Sequence, residues 1–194
     1  MNNFYVNFLA ETKNRCRAGF TLIELITVTA IILVISIIAI PNYRQGGRQT
    51  ALDMQANRFA QDLRRIQEWS LAAHQVGGQA KRGYGISLSQ GSGSYIIYLD
   101  DGNNGGLIFP GNGKYDATFD TVHETIALDD KIEIASCVPS CVNPPASVEY
   151  MPSGSAAWIN GIESEPVQQI NFRVKNTSMV RSVFANKAGL IYVQ

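Results

Sequence analysis

The chain has 194 residues, enough for one globular domain with a core plus an appendage. Sixteen lysines and arginines balance sixteen aspartates and glutamates, which excludes a chain-wide basic footprint for nucleic acid. Apolar residues are unevenly spread, and most of the imbalance sits in one block near the N-terminus.

Residues 1–19 end in a basic stretch, Lys13, Arg15 and Arg17, ahead of an apolar block from Phe20 to Ile40. Glu24 is the only charge in that block; Thr21, Thr27, Thr29 and Ser36 are its other polar residues. About 20 helical residues at ~1.5 Å each span the ~30 Å hydrocarbon core, so the block is long enough to cross a membrane. A soluble helix of this length would show a polar face, whereas Ile31 to Ile40 is apolar all round except Ser36. An ordinary secretory signal is cut after its apolar part, at an A-x-A-like site, and no such site follows Ile40. A lipoprotein signal needs a cysteine just after the apolar run, and Cys16 precedes it.

The junction reads Arg17-Ala18-Gly19-Phe20-Thr21-Leu22-Ile23-Glu24-Leu25, with Ile40-Pro41-Asn42-Tyr43 closing the block. It resembles the processing site of type IV prepilins and pseudopilins. The resemblance implies cleavage by a prepilin peptidase between Gly19 and Phe20, and N-methylation of the new amine on Phe20. It also implies the leader on the cytoplasmic side and the later domain outside. Basic residues alone leave the orientation tied, because Arg44, Arg48 and Arg58 follow the block.

A lone carboxylate in hydrocarbon costs ~2.5 kcal/mol or more, so Glu24 calls for a partner or a function. Cleavage after Gly19 would place a free amine one helical turn away. Glu24 can neutralise it in its own chain or in a neighbour; the resemblance implies the intersubunit pairing. A glutamate snorkelling at the interface is the bland alternative.

Beyond the block, Leu52, Ala56, Phe59, Leu63, Ile66, Ser70 and Ala73 recur at spacings of four and three, one face of an amphipathic helix. Pro41 and Gly46-Gly47 read as soft points, and Gly77-Gly78 as a helix stop. From Gly83 the sequence turns to strands: Tyr84–Leu88, Ser94–Leu99, Ile126–Leu128 and Ile132–Ile134 around an Asp129-Asp130 turn, Ile170–Val174, Val180–Phe184 and Leu190–Val193. The expected fold is α+β, a long N-terminal helix with a transmembrane and an amphipathic half, packed on an antiparallel β-sheet. The expected divisions are a leader at 1–19, a transmembrane and assembly helix at 20–41, an amphipathic half at 42–76 and a β-rich domain at 77–194. Ala56–Leu71, Tyr150-Met151-Pro152-Ser153-Gly154 and Ala188-Gly189-Leu190-Ile191 resemble the pseudopilin H and FimT branch of the family.

Cys16 leaves with a cleaved leader, so Cys137 and Cys141 remain as an even pair. In an oxidising compartment such a pair reads as a disulfide, against two free thiols. A zinc site would need His74 and His123 to converge on them, at spacings that fit no zinc pattern. Asp100, Asp101, Asn103, Asp116 and Asp120 gather oxygen ligands suited to calcium in a Gly-rich stretch, though the same residues make ordinary solvated turns. No G-x-S-x-G or H-E-x-x-H motif appears, so no enzyme is expected. Arg173, Lys175, Arg181 and Lys187 could share one strand face and touch DNA phosphates, or be ordinary exposed charges.

The reading is a minor pilin or pseudopilin: a single-pass inner-membrane protein that joins a periplasmic pseudopilus or a surface pilus. Its implied partners are the prepilin peptidase, other pilin subunits, the inner-membrane assembly machinery and membrane lipid. No cofactor is expected beyond the calcium alternative. The rival is a DNA-uptake minor pilin that binds DNA through the C-terminal basic residues.

Overall fold

The computed structural model describes residues 19–76, 78–104, 107–108, 112–142, 144–152, 157–162 and 167–194. Residues 1–18 of the expected leader, with Cys16, Gly77 and the Ser153-Gly154 pair, lie outside the described residues, as do the side chains of Pro41 and Asn103. The chain divides into two compact units between Tyr43 and Arg44.

One helix, α1, runs from Leu22 to Leu71. Thr21 starts it: its Oγ1 accepts the Glu24 N–H at 3.2 Å, an N-cap bond to the third helical amide. Pro41 and Gly46-Gly47 fall inside this helix. The helix stops at Leu71, before the expected end at residue 76 and the expected Gly77-Gly78 stop. The stop is made by Ala73, which takes φ 46°. Ala73 N–H donates to Ser70 O at 3.1 Å and His74 N–H to Trp69 O at 2.9 Å. Those two bonds define a Schellman cap with alanine where glycine is usual. Ala73 therefore leaves the apolar face and is exposed.

The strands are β1 (Gln75–Val76), β2 (Gln79–Ala80), β3 (Gly83–Leu88), β4 (Ser94–Asp100), β5 (Asn103–Asn104), β6 (Leu107–Ile108) and β7 (Thr121–Ala127). They continue as β8 (Ile132–Val138), β9 (Ala146–Tyr150), β10 (Ala157–Ile159), β11 (Val167–Val174), β12 (Val180–Asn186) and β13 (Ile191–Val193). Beside the two short hairpins β1-β2 and β5-β6 they form two antiparallel sheets, ordered β10-β9-β3-β4-β7 and β13-β12-β11-β8. β7 and β8 flank the Asp129-Asp130 turn yet do not pair; the chain crosses there from the edge of one sheet to the edge of the other.

The core lies between these sheets and the Arg44–Leu71 part of α1. Leu52, Ala56, Phe59, Ala60, Leu63 and Ile66 are all buried against it. Phe59 touches both sheets, edge-on to Tyr95 of β4 at 4.9 Å and to Phe172 of β11 at 5.2 Å. Polar ties fix the helix on its bed: Tyr95 OH donates to Asp62 Oδ2 at 2.5 Å, and Arg64 donates to the Ile191 carbonyl at 3.0 Å. The outcome is the α+β arrangement expected, a long N-terminal helix packed on antiparallel sheet.

β3 is buried on both faces. Tyr84, Ile86 and Leu88 enter the core. Gly83 and Gly85 make room on the other face, where an added Cβ would lie 1.9 Å from Glu149 Oε1 and 2.3 Å from the Tyr98 ring, respectively. That face holds a second, polar interior: Tyr98, Asp100, Ser147 and Glu149, all buried, with Tyr115 from the segment after β6 set 5.2 Å from the Tyr98 ring.

Candidate functional site

Gly19 and Phe20 lie in an exposed non-helical stretch just ahead of the helix start. Among the described residues nothing stands within 4 Å of where a Gly19 side chain would begin, and Phe20 is 83% exposed. None of the described residues covers the expected cleavage junction.

The apolar turns that follow present almost no polar surface. Thr27 Oγ1 donates back to Glu24 O at 2.9 Å, Thr29 Oγ1 to Ile26 O at 3.0 Å and Ser36 Oγ to Ile32 O at 2.7 Å. Each hydroxyl is satisfied within the helix, the condition hydrocarbon imposes. The aliphatic side chains point outward: Leu22, Leu33, Ile37 and Ile38 are each more than 60% exposed. α1 is long and apolar enough to cross a membrane once, and its most apolar window is not buried within the protein. Among these residues Glu24 alone bears a charge, and its carboxylate has no hydrogen-bond or ion-pair partner among the described residues. Thr21, its N-cap partner, escaped the sequence reading; the Thr21-x-x-Glu24 spacing is the signal that would have found it.

Cys137 and Cys141 form a disulfide, S–S 2.07 Å. His74 and His123 do not approach it as ligands. Both rest on Trp69, His74 stacked at 5.6 Å and His123 edge-on at 5.2 Å.

The oxygen-rich stretch is tied up in its own turns. Asp100 Oδ1 accepts Gly102 N–H at 2.6 Å and Oδ2 accepts Asn112 N–H at 3.0 Å. Asp101 pairs with Lys81 and accepts the Thr121 hydroxyl at 2.7 Å. Asp120 accepts Asp116 N–H at 2.6 Å, and Asp116 accepts Thr118 N–H at 3.0 Å. Among the described residues no three His, Cys, Asp or Glu side chains are placed to hold a metal. Burial pushes the Asp120 carboxyl up to about 7; the Asp116 N–H works against this, and the charges of Asp100, Asp116 and Asp101 add to it.

The expected sharing of one face by the basic residues is corrected. Arg181 sits opposite Phe172 in the β11–β12 register, on the helix side, and binds Asp53 of α1 at 2.5 Å. Arg173 is one step out of phase with Phe172, so the pleat turns it to the other face, where it binds Glu133 at 2.5 Å. Lys175 donates to the Asp130 carbonyl at 2.8 Å, and Lys187 is exposed in the turn after β12. Strand alternation therefore separates the two arginines, and neighbouring carboxylates neutralise both.

Residues 14–40 match the family model described as the prokaryotic N-terminal methylation motif. No curated protein and no solved structure matches the chain at a significant level. The motif implies processing by an enzyme of the prepilin-peptidase kind. The long apolar N-terminal helix and the antiparallel sheet beneath its later half match the architecture of type IV pilins. Motif and fold together support a type IV pilin-like protein.

Proposed function

We propose that the chain is a minor subunit of a type IV pilus or of a type II secretion pseudopilus. In this reading prepilin peptidase cuts between Gly19 and Phe20, Phe20 is N-methylated, and residues 20–41 hold the product in the inner membrane. Residues 42–76 and the β-rich domain from 77 stand outside the cytoplasm, bridged by Cys137–Cys141. The helix then packs among neighbouring subunits, and Glu24 neutralises the Phe20 amine of an adjacent copy or pilin.

The observation that carries the proposal is the isolation of Glu24. Every hydroxyl from Thr27 to Ser36 is satisfied by its own helix, so the carboxylate is the one polar group of that surface left to seek a partner. Pairing opposite charges in a low dielectric is strong, and stranding one of them is costly. The test expresses Glu24→Ala and Glu24→Gln in the native host, scores cleavage by mass and then isolates filaments. Both variants should be inserted and cleaved yet fall at least about tenfold in filaments, the ratio for ~1.4 kcal/mol. A cleaved Glu24→Ala chain recovered in filaments at wild-type level would show the carboxylate to be incidental.

A further inference from the structure

Two tight turns of the globular unit meet at glycines. Gly113 takes φ 72° and Gly161 φ 79°, and Gly161 N–H donates to the Gly113 carbonyl at 2.8 Å. A Cβ on Gly113 would lie 2.6 Å from the Trp158 ring, and one on Gly161 would lie 3.0 Å from the Asn112 carbonyl oxygen. Beside this contact opens a cleft of about 310 Å³ lined by Asn112, Lys114, Asp116, Asn160 and Gly161.

The donors of the cleft are set by the backbone around it. Asn112 Oδ1 accepts Lys114 N–H at 3.0 Å. Asn160 Oδ1 accepts Ser147 N–H at 2.8 Å, and Asn160 N–H returns a bond to Ser147 O at 3.0 Å. An amide oxygen engaged by a backbone N–H fixes which end of the group is the donor. Both –NH2 groups are thereby left as donors, and neither they nor the Lys114 ammonium has a partner among the described residues. Asp116, with Oδ1 on Thr118 N–H at 3.0 Å, supplies the acceptor. Asn160 is held at φ 52°, a left-handed turn conformation that asparagine takes more readily than other non-glycine residues.

We propose that this cleft binds a small polyhydroxylated carboxylate, of the uronic-acid class. The ammonium takes the carboxylate in a charge-assisted bond. The two amide donors and the Asp116 acceptor match hydroxyls, which both donate and accept. Among the described residues the lining side chains are those of Asn112, Lys114, Asp116 and Asn160, all polar, so an apolar peptide side chain finds no apolar partner among them. Among the described lining residues one ammonium stands beside one carboxylate, with no surplus of positive charge to hold a polyanion.

The test uses the full chain in detergent micelles and ligand-observed saturation-transfer NMR with galacturonic acid, galactose and acetate. Galacturonic acid should bind, with galactose and acetate each at least about tenfold weaker, the ratio for one lost charge-assisted bond or an equivalent set of neutral ones. Lys114→Met should erase the preference for the acid over galactose. Asn160→Asp keeps an oxygen for Ser147 N–H but replaces a donor by an acceptor; it should weaken galacturonic acid by about tenfold or more. No transfer at millimolar ligand overturns the proposal, as does acetate binding as well as galacturonic acid, or a signal that neither variant changes.

Discussion

The Tyr98 hydroxyl donates to Glu149 Oε2 at 2.9 Å inside a face of β-sheet that is closed to water. Among the described residues Glu149 Oε1 finds no donor, and the neighbouring Asp100 carboxylate offers only acceptors, so a hydrogen bond between the two needs a proton on Glu149. Burial pushes the Glu149 carboxyl well above its ordinary value of 4.5, and the Asp100 charge adds to the push; the Tyr98 hydrogen bond works against it. Protonated Glu149 turns a clash of carboxylates into a hydrogen bond.

The stability of the domain should therefore fall as pH rises. An acid whose folded pKa is raised keeps its proton in the folded state while the unfolded chain ionises, so each pH step above the unfolded value favours unfolding. The loss begins near 4.5 for Glu149, and for Asp120 it runs from 3.8 to about 7. Thermal melts between pH 4.5 and 8 should show a falling midpoint. Glu149→Gln carries its own donor. It should flatten the fall and, at pH 8, exceed wild type by on the order of 1–3 kcal/mol, the usual cost of an unsatisfied buried group. A wild-type midpoint that rises over this range would oppose the assignment.

Gly85→Ala should destabilise the domain. Its Cβ would meet the Tyr98 ring at 2.3 Å, and Tyr98 is wholly buried, so the ring has nowhere to go. Overpacking of this kind costs roughly 1–3 kcal/mol, read as a lower denaturant midpoint. Gly85→Ala at wild-type stability would show that the polar interior is loosely packed.

Ala73→Gly should stabilise. Ala73 occupies the left-handed C′ position of the α1 cap, where an L side chain costs ~1–2 kcal/mol. Glycine's greater freedom in the unfolded chain offsets part of this, leaving a gain of about 0.5–1 kcal/mol. Chemical denaturation of the two proteins side by side measures it.

The helix, its core face and most strands were legible because they rest on periodicity: Leu52 to Ile66 at helical spacing, and Ile170, Phe172 and Val174 at strand spacing. The misses have physical causes. β9 is Ala-Ser-Val-Glu-Tyr and buried on both faces, so it shows no alternation, and its glutamate argues against a core strand until Gly83 and Gly85 are seen to make room for it. The helix end was misplaced because glycine is the ordinary C-cap signal and here alanine serves. The basic residues were grouped by proximity along β11 and β12, but the pairing of Phe172 with Arg181 sends Arg181 and Arg173 to opposite faces. The Thr21–Glu24 cap was within reach from spacing alone.

The central claim is that the working protein begins at Phe20. Intact-mass analysis and N-terminal sequencing of the chain from the native envelope, with and without reductant, test it directly. The expected product starts at Phe20 with one added methyl group and carries the Cys137–Cys141 bridge. A chain retaining Met1, or one starting after the apolar block, for example beyond Ala39, would contradict the account.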